Sequence, residues 1–588
     1  MTEQATVREE AAGEVLLDEG STYSKDYWDL VWEQLSRRAL FKVGMGVLAI
    51  LYGLAIFAPL IGNDRPYKLV AVDYGEYQSA ARGVERLSSN ALERLLGSGA
   101  DPAFQAEGAG REVTAALTRI DLMRQYLGAE DQVSLDTFRE GLVSSYSLAL
   151  QGERLEDESV SRALQARAAG FATEFAAAPL GADPASAGKH LQPSTRYPLA
   201  EGLGAGSIFF MVLWLLLASF PAWNRLWNGR LGGDRERIRD ARGMKRNLIL
   251  GAPVLAAGLW VLLVGGGTAA FDVSPFKRGL SEGSIVAFEA PLLPPVPLGY
   301  AETHKEEGFR PPTWLRGARL DSNGRYMEGL RVPKPDPITG FLPPATPVEV
   351  RFGEPWPNAP HRHLAGTDEL GRDFFVRLLW GGRVSLAVGI LSALLLTIIG
   401  VFMGSLAGYF GGKVDVFIMR LIEILQSIPA FFLILASLAF IDPKEVSIPP
   451  IFIIVVVIAL VRWTGAARLV RGEFLRLREE EFVLAANALG YSNMRTIFRH
   501  VLPNALSPVL VNAAFAVASG ILTESAVSYL GFGVQHPEAS WGSLVNESKS
   551  PEFWWIQVFP GVLIFLTVTC YNLVGDAVRD ALDPKMKV

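Results

Sequence analysis

The chain has 588 residues, of which 50% are hydrophobic and only 20% are charged. A soluble chain of this length divides into several domains and carries more charge. The apolar residues here are concentrated in blocks, which indicates a lipid bilayer rather than a set of soluble cores. A formal charge of −6 gives no basis for a nucleic-acid partner, and the single cysteine, Cys570, excludes an intrachain disulfide framework.

The chain begins with an acidic and polar segment. Residues 1–27 lack the basic start of a signal peptide, so they are predicted to be a disordered cytoplasmic tail. In residues 28–62, Trp28, Trp32 and Leu35 recur at helical spacing just before a group of basic residues. This pattern predicts an interfacial helix that leads into the first membrane span.

Uncharged runs that approach the length of a membrane span occur eight times. A helix needs about 20 apolar residues to cross the hydrocarbon core, and the two shortest runs can be completed by charged residues that reach the interface. Those two runs flank a predicted turn at Asp442-Pro443-Lys444-Glu445. The sequence therefore predicts an all-α polytopic membrane protein with about eight transmembrane helices. The runs are 43–62, 202–224, 247–271, 384–412, 424–441, 446–461, 501–523 and 553–575.

Basic residues determine the predicted orientation of these spans. They are concentrated in the stretches 37–42, 225–246, 462–500 and 579–587. Because cytoplasmic loops carry the excess of Lys and Arg, all four stretches are assigned to the cytoplasmic side. With eight spans, both termini then lie in the cytoplasm.

Two long segments are predicted to lie on the extracytoplasmic side of the membrane. Residues 63–201 carry apolar stripes at helical spacing, which predict a small all-helical domain with a structural or partner-binding role. Residues 272–375 are rich in proline and are predicted to be extended and loop-rich. Between them, residues 202–271 hold two spans joined by a basic cytoplasmic loop. The stripes are Val113, Leu117, Ile120 and Leu127, and Leu135, Phe138 and Leu142.

The sequence holds no pattern typical of catalysis or of a resident cofactor. It has no Gly-x-x-x-x-Gly-Lys-[Ser/Thr] phosphate loop, no paired carboxylates and no nucleophile–base set. His361 and His363 are two residues apart with no third ligand nearby, so a solvated loop is favoured over a metal site. The chain is therefore predicted not to be an enzyme and not to bind a metal ion.

One predicted cytoplasmic segment, residues 471–504, is too long and too ordered in pattern for a simple connection. From Glu481 it is predicted to form a short amphipathic helix with small alanines that another protein can approach closely. Gly490 permits a sharp turn with positive φ. A second polar helix follows, and Pro503 suits the first turn of the next span because its missing N–H costs nothing there.

This segment resembles the coupling loop of the permease subunits of ABC importers. The family pattern is Glu-Ala-Ala, three residues, Gly, and later a Leu-Pro ending. Leu484 stands where the pattern has Glu. The version found here looks like the dipeptide and oligopeptide permease branch. The matching residues are Ala485, Ala486, Gly490, Leu502 and Pro503, with Glu481, Arg499 and His500 typical of the branch.

The resemblance covers residues 364–588, the permease core being 376–588, together with the first span. Other matching stretches begin at Gly366, Gly381, Ala407, Glu524 and Gly575. The family plan has six spans, so the two spans within 202–271 are extra, and residues 67–363 are an insertion that the resemblance does not explain.

The resemblance implies a set of partners and a location. It implies that the chain lies in the cell inner membrane and forms half of a translocation pathway with a second, homologous permease subunit. Two ATP-binding subunits on the cytoplasmic side would bind ATP and Mg²⁺, and an extracytoplasmic solute-binding protein would deliver the cargo. The branch implies peptides as cargo.

Several alternatives remain open. Related branches carry nickel, glutathione or peptide antibiotics. An ion-coupled transporter is disfavoured because the apolar runs contain almost no charge. A membrane-anchored sensory or binding protein is the other alternative. Glu524, at the end of an uncharged run, either faces the translocation pathway and meets the amino terminus of a peptide, or pairs structurally at the outer interface.

Overall fold

The structure, a computed structural model, describes most of the chain and divides it into two compact units. One unit contains Met1–Ala55 and Trp380–Val588, and the other contains Ile56–Leu379. The predicted tail up to residue 26 and the predicted Asp442–Glu445 turn lie outside the described residues. The described residues are 27–96, 102–150, 191, 193–230, 235–264, 285–304, 308–312, 363–441, 448–534 and 537–582.

The N-terminal residues form two consecutive helices, α1 (Tyr27–Arg37) and α2 (Ala39–Ile56). α1 corresponds to the predicted interfacial helix. Its Val31 and Leu35, one turn apart, are buried in a cluster with apolar residues near Ala577. The basic residues that follow this face therefore stand at the start of the first candidate span, α2.

A helical domain with its own apolar core dominates the second unit. The predicted stripes are confirmed: Val113 and Ile120 are buried, and so are Leu135 and Leu142. They pack with Tyr77 in a single cluster. The short α3 (Ala58–Ile61) precedes this domain, whose helices are α4 (Tyr74–Leu96), α5 (Pro102–Arg124) and α6 (Ala129–Leu150).

The prediction that this domain is entirely helical is wrong, because three short strands form a sheet beside it. β1 (Leu69–Asp73) is the central strand and pairs antiparallel with β2 (Ser194–Arg196) and β3 (Ile285–Ala287). Ala71 of β1 stands opposite Ala287 of β3. Strands this short show no period-2 alternation, and their partners lie far apart in the chain, so the sequence gives no local signal for them. The sheet also joins the start of the Pro-rich segment to the helical domain.

The two extra spans form a helical hairpin in the second unit. The short α7 (Pro198–Glu201) precedes α8 (Ala205–Ala218), which is bent by 60° from α9 (Phe220–Arg230). α10 (Arg235–Val264) returns beside α8, and the Trp260 indole N–H donates to the Leu203 carbonyl at 2.9 Å.

The permease core consists of long apolar helices joined by short breaks. Across the described residues, six helices are long and apolar enough to cross a membrane, and two bent pairs raise the total to as many as eight. A mostly helical polytopic membrane protein is thereby confirmed. The core helices are α11 (Phe374–Phe410), α12 (Gly412–Gln426), α13 (Ala430–Phe440), α14 (Pro450–Leu477), α15 (Glu481–Ala488), α16 (Asn493–Arg495), α17 (Leu502–Tyr529), α18 (Trp541–Asn546) and α19 (Trp554–Leu582).

Close contact between α11 and α14 depends on a stripe of glycines. Gly400, Gly404 and Gly408 recur every four residues on α11, and a Cβ at any of them would lie 2.5 Å from an atom of α14. Such small residues let two membrane helices approach backbone to backbone. This contact fixes α14, and with it the start of the segment predicted to carry function.

Candidate functional site

The segment after α14 folds back against the permease core. On α15, Val483 and Ala486 are one turn apart and are 0% and 4% exposed. Ala486 therefore faces inward, and its small size serves packing, whereas Ala485 and Ala488 are exposed. Val483 packs in a cluster with Val470, Phe474, Leu477, Ile497, Val501, Ala505 and Val509.

Gly490 ends α15 in a left-handed turn. Its φ is +73°. This conformation is strained for a residue with a side chain, but glycine adopts it readily. The Tyr491 N–H donates to the Ala486 carbonyl at 3.2 Å, and the Gly490 N–H donates to the Asn487 carbonyl at 3.0 Å. These two bonds are the Schellman pattern of a glycine-terminated helix. The turn predicted at Gly490 is present, and it sets the direction of the chain that follows.

The helix after this turn is not separate from the next span. Asn493–Tyr529 is one continuous candidate span, with a π-helical turn at Thr496–Val501. Pro503 lies in the first turn of α17, as predicted, and the polar helix before it continues directly into the span. A π turn widens the helix by one residue. It lies directly before a proline that has no N–H to donate, and the Leu502 N–H donates to the Ile497 carbonyl.

Aromatic and polar contacts hold the segment in shape. The rings of Tyr491 and His500 stack at 5.6 Å between centroids, and the Arg495 guanidinium carbon lies 4.1 Å from the Tyr491 centroid. The Tyr409 hydroxyl donates to the Asn487 side-chain oxygen at 3.3 Å. His500 is thus a packing residue within the segment, while Glu481 and Arg499 are exposed.

Five large apolar side chains of this segment are exposed, and we call them the coupling surface. Exposed apolar side chains at this density mark a protein or membrane contact. Leu484, at the position where the family pattern has Glu, is one of them. The members and their exposed fractions are Phe482 (40%), Leu484 (55%), Leu489 (71%), Met494 (53%) and Phe498 (53%).

Glu524 is sealed inside the permease core. Its side chain is 0% exposed. One carboxylate oxygen accepts from the Ser385 hydroxyl at 2.9 Å, and the other accepts from the Ser528 hydroxyl at 2.7 Å. The Ser385 hydroxyl also accepts the Trp541 backbone N–H at 3.0 Å. Glu524 therefore links α17, α11 and the short α18.

The stretch that begins at Gly366 forms a buried ionic cluster in the second unit. The fully buried Asp368 carboxylate accepts from the Arg372 Nε at 2.6 Å and pairs with Arg377. His363 Nδ1 lies 2.8 Å from the Asp373 carboxylate, which also caps α11 by accepting the Val376 N–H. His363 is 1% exposed, so the prediction that it lies in a solvated loop is wrong. His361 lies outside the described residues, and those described contain no group of three side chains placed to hold a metal ion.

Arg462 was predicted to begin a basic cytoplasmic stretch, 462–500, but it lies within a long helix. The predicted run 446–461 ends immediately before it, but α14 continues through Leu477. Arg462 therefore lies inside a candidate span rather than at its end. Its guanidinium donates to the Ser519 hydroxyl of α17. The helical continuation of apolar residues after Arg462 was the signal that would have located it.

These features define a polytopic membrane protein whose permease core carries an exposed, well-packed segment between two spans. Family models agree. Residues 400–588 match the inner membrane component of binding-protein-dependent transport systems. Residues 26–81 match the N-terminal transmembrane domain of oligopeptide transport permease C.

Curated relatives match a little over a third of the chain. The oligopeptide transport system permease protein OppC of Haemophilus influenzae is 42% identical over 38% of this chain and 70% of its own length. OppC of Escherichia coli is 43% identical over 39% of this chain and 74% of its own. The dipeptide permease DppC of Bacillus subtilis is 39% identical over 38% and 69%. The chain belongs to this family of inner-membrane permeases. A solved chain of the inward-facing MetNI methionine ABC transporter is 21% identical over 36% of this chain and 97% of its own, with a TM-score of 0.29.

Proposed function

We propose that this chain is a transmembrane subunit of an ABC importer for peptides. It forms half of the translocation pathway with a second, homologous permease subunit. A solute-binding protein delivers the cargo outside, and two ATP-binding subunits supply the energy inside. The relatives named above are oligopeptide and dipeptide permeases, which supports peptides over nickel, glutathione or another small solute.

The coupling surface is the observation that carries the proposal. Its side chains project from a segment whose opposite face, at Val483 and Ala486, is anchored in the core. A rigid helix with an exposed apolar face suits docking into a groove of another protein. The chain has no phosphate loop of its own, so the ATPase is the partner that this surface meets. Movement of that partner is then transmitted to α14 and α17, the helices on either side.

The residues of the segment divide into two groups. Glu481, Ala485 and Arg499 are exposed and contact the ATP-binding subunit. Ala486 and Gly490 give the segment its shape, together with His500 and Pro503. Both groups are needed for coupling, but only the first can change the choice of ATPase partner.

The proposed topology places both termini and residues 471–504 in the cytoplasm. Residues 63–201 and 272–375 then lie outside. The distribution of basic residues supports this orientation. Because the sheet pairs β1 with β2 and β3, the described parts of the two outer segments are joined on the extracytoplasmic side, next to the hairpin of α8 and α10.

We assign Glu524 a structural role rather than a place in the pathway. Both of its carboxylate oxygens accept hydrogen bonds within the chain. A peptide amino terminus would have to displace these serines to reach it.

Reconstitution tests the proposal directly. The complete importer is assembled in proteoliposomes with ATP inside, and uptake of a labelled oligopeptide is measured with unlabelled peptide, nickel or glutathione as competitors. We expect ATP-dependent uptake that only peptides compete for. Leu489→Arg should abolish uptake and the copurification of the ATPase, whereas Glu479→Gln, an exposed neighbour outside the coupling surface, should alter neither. Uptake without ATP would contradict the proposal. So would a Leu489→Arg variant that still imports peptide and copurifies with the ATPase.

A further inference from the structure

Arg462 lies near the middle of α14, one of the candidate membrane spans. At a rise of ~1.5 Å per residue, Arg462 lies about 18 Å along the helix from the first residue of α14. Its partner Ser519 lies about 15 Å from the last residue of α17 by the same rise. The hydrocarbon core is about 30 Å thick. Both helices therefore place the guanidinium well inside the bilayer, where a charged side chain is costly and is retained for a function.

The charge of Arg462 is not neutralised within the described part of the chain. The hydrogen-bond acceptor there is the neutral hydroxyl of Ser519, and no carboxylate among those residues forms an ion pair with it. The contrast with Arg471 on the same helix is clear, since Arg471 donates to the Asp415 carboxylate through two nitrogens, one of them at 2.7 Å. Arg462 is thus a cation that is positioned by a hydroxyl and still lacks an anion.

Arg462 is partly exposed, and the face of α14 that carries it is open on the C-terminal side of this residue. Gly465 and Arg468 follow at intervals of three residues, so they lie on roughly the same side of the helix. A Cβ at Gly465 would meet no atom within 4 Å, and Arg468 is exposed. In contrast to the sealed site of Glu524, an external group can approach this face.

From these observations we infer that Arg462 binds the C-terminal carboxylate of a peptide in transit. A guanidinium presents two N–H groups in the geometry of a carboxylate, and such charge-assisted bonds strengthen away from water. Ser519 holds one nitrogen and so orients the group. The inference rests on the proposed function, because it names the part of a peptide cargo that the pathway recognises.

The test compares two forms of one peptide, with a free C-terminal carboxylate or a C-terminal amide, in proteoliposomes that contain the complete importer. The measured quantity is the ratio of acid uptake to amide uptake, with saturating binding protein. We expect Arg462→Gln to lower this ratio by about tenfold or more, the effect of losing a hydrogen bond to a charged group. Arg462→Lys should retain part of the preference. Arg476→Gln, a neutralisation at the end of the same helix, should leave the ratio unchanged.

Each other outcome overturns the inference in a distinct way. If the wild-type importer takes up neither peptide form, the proposed function fails and the inference fails with it. If peptides are imported and Arg462→Gln reduces both forms equally, the residue is structural. If Arg462→Gln fails to assemble with the second permease subunit while Arg462→Lys assembles, the carboxylate belongs to that subunit. If neither variant assembles, the guanidinium serves folding alone.

Discussion

The Ser385 hydroxyl donates a hydrogen bond of 2.9 Å to the Glu524 carboxylate. The bond joins the first half of α11 to the last two turns of α17. The same serine oxygen accepts the first backbone N–H of α18, so one carboxylate orders three helices.

This arrangement predicts that the shape of Glu524 matters more than its charge. Glu524→Gln should support nearly normal uptake, because an amide can still accept a serine hydroxyl. Glu524→Leu leaves the buried Ser385 and Ser528 hydroxyls without their acceptor and should lower the free energy of unfolding by about 1–3 kcal/mol. Thermal unfolding in detergent and uptake by proteoliposomes measure the two effects. A Glu524→Gln variant that folds normally but imports nothing would restore the role in the pathway.

Substitutions at Gly490 test whether the shape of the segment 471–504 is needed for coupling, separately from insertion of the protein into the membrane. Gly490→Pro cannot reach a φ of +73° and removes the N–H that bonds to Asn487. We expect ATP-driven uptake to be lost while the protein still inserts and assembles its spans. The milder Gly490→Ala should raise the free energy of this turn by about 1–2 kcal/mol, because alanine is strained in the left-handed conformation.

Gly472→Ala is the matched control for these glycine variants. Gly472 lies within α14, and a Cβ there meets no atom within 4 Å, so this substitution should leave uptake unchanged. Normal uptake by Gly490→Pro would show that the turn plays no part in coupling.

The sequence predicted those features that repeat locally and missed those that depend on distant residues. The stripes around Ile120 and Leu135 follow from helical spacing, and the turn at Gly490 follows from one residue. The bond between Ser385 and Glu524 joins residues that no local pattern relates. The charge of Arg462 ends an apolar run in the sequence, but the helix continues past it to Leu477, so composition alone places the residue at the wrong depth.

The glycine stripe of α11 should be needed for assembly of the permease core. A side chain at Gly404 would meet the Ala467 carbonyl at 2.5 Å and Val470 at 2.7 Å. Both neighbours belong to a helix that cannot shift without moving the coupling segment, so Gly404→Val should destabilise the core by about 1–3 kcal/mol or more. Gly258→Val, at an open position of α10, is the control. The measurement is the yield of monodisperse protein and its unfolding temperature, and equal values for both variants would refute close packing at Gly404.

The helical domain contains a tyrosine whose hydroxyl should stabilise it over a wide pH range. The Tyr126 hydroxyl donates to the Glu76 carboxylate, and burial, assisted by that bond, raises the pKa of Tyr126 to about 12. Because the folded pKa lies above the unfolded value of about 10, the stabilising contribution is complete below about pH 10 and is lost as the pH rises through about 12. Tyr126→Phe should therefore speed amide hydrogen exchange in α4 and α5 by the same factor at pH 7 and at pH 9. Tyr197→Phe, at a position 53% exposed, should not change exchange there. A Tyr126→Phe effect that disappears between pH 7 and pH 9 would mean that the hydroxyl ionises far earlier than its surroundings allow.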